Sequence, residues 1–129
     1  MWLIGTSRGS VSATAAAIAL GEAAVQGLVL TSSVTTFRTG AIATQAIASI
    51  RIPALVVHHQ KDACRICDPR AASRITAGMK SAPVKKFVLI DGGSDPQGDP
   101  CQSLHWHGFV NYEQPTVKVI TDWIKNPRS

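Results

Sequence analysis

The pentapeptide Gly5-Thr6-Ser7-Arg8-Gly9 carries the most specific chemical signal in the chain. It is a G-x-S-x-G placed after the apolar run Trp2–Ile4 and before the small-residue stretch Ala13–Leu20, a strand followed by a helix. A serine on such a tight turn projects its hydroxyl above the sheet. Gly5 and Gly9 are expected to be required because side chains there would collide with the neighbouring strand and helix. The backbone N–H of Arg8 would face a developing oxyanion at the start of the helix, where the dipole favours negative charge. The competing reading of the pentapeptide alone is an ordinary glycine-bounded turn.

A serine hydroxyl becomes a useful nucleophile only when a base takes its proton and an acid orients the base. Candidates follow in the chain. Asp62 lies just past the run Val56-Val57-His58-His59, and His107 lies in His105-Trp106-His107-Gly108-Phe109. Asp68 competes with Asp62, but an Asp-Pro pair suits a helix cap, with Pro69 at the first helical position. His105 competes with His107. His58 and His59 are neighbours on a strand and must face opposite sides, one into the packing and one toward the site rim.

Cys64-Arg65-Ile66-Cys67 is a C-x-x-C just past Asp62, and Cys101 precedes the candidate base. A thiol-redox function requires a thioredoxin-like setting that the sequence does not supply. His58 or His59 with Cys64, Cys67 and Cys101 offers zinc-ligand types, but the second ligand pair of a structural site is missing, and no metal is assigned. Asp91, Asp95 and Asp99 with Gly92, Gly93 and Gly98 do not match a calcium loop and predict a turn-rich connection. No cofactor is expected.

Four apolar runs of strand length must hold these groups in place: Trp2–Ile4, Gly27–Leu30, Ala54–Val57 and Phe87–Ile90. Their near-continuous hydrophobicity marks strands buried on both faces, hence a parallel sheet in an α/β fold of three layers, with flanking helices and the order β-α-β-loop-β-α-β-α. Helices are expected from Arg8 to a left-handed stop at Gly21, after Asp68, and from about Gln114 to Lys125. The last should bury Val117, Val119, Ile120, Trp123 and Ile124, with Pro127 ending it. Residues 34–52 form a Thr/Ala-rich connection, with one short helix expected over Ile42–Ile50.

The order Ser…Asp…His, with the serine in a G-x-S-x-G elbow, resembles the α/β-hydrolase superfamily, and the likeness covers essentially all 129 residues as the C-terminal half of that fold. The resemblance implies that Ser7 is the nucleophile, Asp62 the acid, His107 the base and the Arg8 N–H an oxyanion donor. It implies a carboxylesterase-like serine hydrolase acting on small esters through an acyl-serine. Hydrolases of this kind are commonly exported, so the resemblance also favours a disulfide from Cys101 to Cys64 or Cys67 over three reduced thiols, and an exported or periplasmic parent protein.

A complete member of the superfamily has strands before the elbow and a loop that supplies a second oxyanion N–H, so the sequence is expected to be one truncated domain over residues 1–129 with weakened activity. The apolar edge at residues 2–4 should then recruit a second copy into a homo-oligomer. The alternative is a non-catalytic half-domain that assembles through the same edge.

Composition narrows the partners further. The chain is 45% hydrophobic and 16% charged with a net charge of +5, suited to one packed domain. Its basic residues are scattered, and its aromatics beyond Trp2 (Phe37, Phe87, Trp106, Phe109, Tyr112, Trp123) do not interleave with arginines, so no nucleic-acid partner is expected. No segment reaches the roughly 20 apolar residues of a membrane-spanning helix, so no membrane partner is expected either.

Overall fold

The computed structural model describes residues 1–36 and 41–129 of the chain. The elements run β1 (Trp2–Thr6), α1 (Arg8–Leu20), β2 (Gly27–Thr31), β3 (Ala54–His59), α2 (Pro69–Gly78), β4 (Lys85–Ile90) and α3 (Glu113–Lys125). The four strands form one all-parallel sheet in the order β1-β2-β3-β4. This is the α/β architecture expected from the unbroken apolar runs. Each strand is slightly longer than its apolar run because hydrogen bonding continues through polar residues such as Thr6, Thr31, His58 and His59.

Two cores sandwich the sheet. On one face Leu28, Leu30, Ala54 and Val56 pack with Ala17 of α1 and with Ala72 and Ile75 of α2. On the other, Val29, Leu55 and Val57 pack with Phe109 and with Ile120 and Trp123 of α3. Alternate strand residues feed opposite faces, so β2 and β3 are buried throughout and a period of two is absent from their sequence.

Local chemistry explains the boundaries. Asp68 caps α2 by accepting the Arg70 N–H at 2.9 Å, and Pro69 takes the first helical position, where no N–H is needed. α1 ends at Gly21, whose φ of 70° is open to glycine.

Two details differ from expectation. Val117 is 56% exposed, because the apolar stripe of α3 centres on Ile120 and Trp123 and turns it outward. Ile42–Ile50 is not one helix but two single 3-10 turns, Ile42–Thr44 and Ile47–Ser49, which seat Ile42 and Ile47 in the core. A residue-by-residue drop into separate core sockets replaces a regular helical face there. The part of that connection at 37–40, including Phe37, lies outside the described residues. Among the described residues no helix is long and apolar enough to cross a membrane.

β1 is an edge strand with uneven exposure. Trp2 leans across Gly27 and meets Trp123 edge-on at 6.1 Å, whereas Ile4 is 58% exposed.

Candidate active site

All four strands end at the same side of the sheet, with Thr6 opposite Thr31, Thr31 opposite Val57 and His59 opposite Ile90. Loops leaving those ends are the usual place for a ligand in an open parallel sheet. Ser7 follows β1, Asp62 follows β3, and His107 lies in a 3-10 turn, Trp106–Gly108, after the long turn-rich connection that leaves β4.

Ser7 occupies a strained backbone conformation, φ 52° and ψ −122°, between strand and helix. Such a geometry persists only when the surroundings impose it. Here the Ser7 N–H donates to the Thr31 carbonyl at 3.0 Å, and the Ser7 carbonyl accepts from the Ser10 N–H at 2.9 Å and from the Ser10 hydroxyl. Ser10 is itself buried and accepts the Val34 N–H, so the turn is tied to the loop after β2. Gly5 is required as expected, since a Cβ there would strike Gly9 and Ala13 of α1. Gly9 is not required for the expected reason: a Cβ at that position meets open space, because α1 directs it away from the strand. Arg8 is the first residue of α1, where an N–H has no acceptor within its own helix.

The three polar groups meet in a line. His107 Nε2 is 3.0 Å from Ser7 Oγ, and His107 Nδ1 is 2.9 Å from Asp62 Oδ2. Because the carboxylate can only accept, Nδ1 carries the proton and Nε2 is left to receive the serine proton. Asp68, the competing acid, is the cap of α2, and His105, the competing base, lies edge-on to Trp106 at 6.4 Å.

Asp62 accepts more than one histidine. Its Oδ2 also lies 3.1 Å from His58 Nε2, and its Oδ1 accepts the Cys64 N–H at 2.9 Å. His58 Nε2 is in addition 3.0 Å from the Cys67 carbonyl. With two acceptors around it, His58 Nε2 carries a proton, and its buried Nδ1 has no partner among the described residues. Burial pushes the Asp62 carboxyl upward, but the hydrogen bonds from His107, His58 and Cys64 outweigh it and hold the group at about 2. Sequence reasoning missed this supporting role of His58 and treated it only as one of two strand histidines; its position four residues before Asp62 is the available signal. His59 serves packing: its ring stacks on Trp106 at 4.9 Å and its Nε2 bonds the Gly92 carbonyl at 2.8 Å.

The histidine turn is anchored as firmly as the serine. Ser32 donates its hydroxyl to the His107 carbonyl at 2.7 Å, and a Cβ on Gly108 would run into the Ser103 backbone. Phe109 then takes a left-handed φ of 57° and is buried against β3.

Cys64 and Cys101 form a disulfide with a Cα separation of 4.6 Å, joining the acid loop to the loop that leads to His107. Cys67 is the free, buried thiol. Its burial, and then the Asp62 charge, push it up to about 12, while the Ser7 hydroxyl and Arg8 pull the other way. It is therefore a protonated thiol at neutral pH, not a nucleophile.

Above Ser7 opens a cleft of about 1020 Å³, walled by residues 6–9, 63–66 and 99–102. The disulfide forms part of its wall. The chain matches none of the protein-family models, and a search of curated proteins returns no match.

Proposed function

We propose that the chain is a serine hydrolase of the α/β-hydrolase kind, acting as a carboxylesterase on small esters. The observation that carries this reading is the continuous hydrogen-bonded line Ser7–His107–Asp62, built on a strained strand-to-helix serine. His107 takes the Ser7 proton as Oγ attacks the ester carbonyl, and Asp62 stabilises the imidazolium that forms. The Arg8 N–H and the first turn of α1 stabilise the oxyanion. His107 returns its proton to the departing alcohol, then activates a water that releases the acid and restores Ser7.

The cleft of about 1020 Å³ beside Ser7 has room for small acyl and alcohol groups. The test is covalent labelling by a fluorophosphonate, coupled with turnover of p-nitrophenyl acetate. Wild-type protein should label at Ser7 and Ser7→Ala should not; a folded wild-type sample that neither labels nor turns over ester refutes the reading.

A second reading, assembly through β1 without catalysis, draws on the exposure of Ile4 at the sheet edge. It requires a dimer or larger species in sedimentation at micromolar concentration, dispersed by Ile4→Lys, together with a Ser7→Ala variant that matches wild type in every assay. A monodisperse monomer removes it.

A further inference from the structure

The hydrolytic reading leaves Cys67 without a task, although this thiol is buried beside the catalytic line. One ligand atom each from Cys64, Cys67 and His107 lie within 4.8 Å of one another, and all three residues are buried. Cys101 is bonded to Cys64, so breaking that bond frees a fourth thiol beside the cluster. The sequence pointed to His58 or His59 as the nitrogen ligand of such a group; the fold brings His107 instead.

We propose that reduction of the Cys64–Cys101 disulfide opens a zinc site made of Cys64, Cys67, Cys101 and His107, which silences Ser7 by taking its base. Three sulfurs and one imidazole are the donor set of a closed tetrahedral zinc centre. With metal–sulfur bonds near 2.3 Å and metal–nitrogen near 2.0 Å, neighbouring ligand atoms stand about 3.5 to 3.8 Å apart, so the cluster must contract by about 1 Å and the two former disulfide sulfurs must part by less than 2 Å. The C-x-x-C turn is already closed by the Cys67 N–H donating to the Cys64 carbonyl at 3.0 Å. Asp62 holds His107 Nδ1, which leaves Nε2 for the metal in a carboxylate–histidine–zinc arrangement. Arg8 and Arg65 line the adjoining cleft and offset the negative charge of three thiolates.

The chemistry balances with a phosphine as reductant. Phosphorus is oxidised to the phosphine oxide with oxygen from water, the S–S bond breaks, and two thiols form. Zinc then binds the three thiols and the imidazole with release of three protons.

The test titrates phosphine-reduced, reductant-free protein with cobalt(II) as a spectroscopic stand-in and then with zinc. One cobalt per chain is expected, with thiolate-to-cobalt charge-transfer absorption and tetrahedral d–d bands that zinc abolishes; oxidised protein should show neither. Cys67→Ser should weaken cobalt binding at least tenfold. The silencing of Ser7 rests on the hydrolase reading, and fluorophosphonate labelling of reduced protein should stop with one equivalent of zinc and return on chelation. Cobalt bands without labelling under any condition would count against the hydrolase and leave the metal site standing. A reduced, folded chain without a charge-transfer band overturns the proposal. If reduction unfolds the chain, Cys101→Ser decides: it keeps Cys64, Cys67 and His107, and the absence of a cobalt–thiolate band in that folded variant overturns the proposal equally.

Discussion

Replacing Asp62 with asparagine removes a charge at the point where the site is most heavily hydrogen-bonded. In the wild type, Asp62 accepts from His107 Nδ1, His58 Nε2 and the Cys64 N–H. Lowering its carboxyl from 3.8 to about 2 corresponds to about 2 kcal/mol in favour of the ionised form. Since the folded value lies below the unfolded one, this stability is fully present above about pH 4 and is lost as pH falls through about 2. Asparagine has one acceptor where the aspartate had two. If its oxygen keeps the Cys64 N–H, its NH₂ faces two imidazole nitrogens that both carry protons. His107 then turns to the other tautomer, with a proton on Nε2 pointing at Ser7, and can no longer accept the serine proton. The expected loss in acylation rate is about 10⁴-fold, the size of effect seen when a triad aspartate becomes an amide. Fluorophosphonate labelling kinetics measure the rate, and urea unfolding at pH 7 and at pH 3 measures stability. Asp62→Asn should be less stable than wild type by about 2 kcal/mol at pH 7, with the gap narrowing toward pH 2. A folded Asp62→Asn protein that labels within tenfold of wild type would refute the assignment of Asp62 as the orienting acid.

Three further outcomes follow from the geometry. Ser7→Gly relieves the left-handed backbone strain, so it should abolish labelling while raising unfolding stability by about 1 kcal/mol, measured by urea denaturation; an unchanged or lower stability would mean that the turn is not strained. Gly108→Ala places a Cβ against the Ser103 backbone and should displace the His107 turn, lowering both melting temperature and labelling rate; a fully active, equally stable variant would show that the turn yields freely. Cys64→Ala with Cys101→Ala opens a loop of 37 residues' separation, and the chain-entropy relation gives a loss of about 4 kcal/mol, checked by comparing urea midpoints.

The sequence by itself determined the strands, the elbow and the helix ends, because each is written in adjacent residues. Continuous apolar runs at 27–30 and 54–57 imply strands covered on both sides, Gly5 clears space for α1, and Asp68-Pro69 caps α2. It also narrowed the candidate chemistry to Ser7 with one of two aspartates and one of two histidines. The tertiary structure decided among them, since whether Asp62 or Asp68 touches a histidine depends on where residues 45 positions apart are carried by the sheet. The same holds for the pairing of Cys64 rather than Cys67 with Cys101, for the exposure of Val117, and for His58 as a second imidazole on Asp62. Residue type and local spacing set what a segment prefers on its own. Hydrogen bonds, disulfide partners and ligand clusters need separate segments brought within a few ångströms, and only the packed sheet with its loops at one end does that.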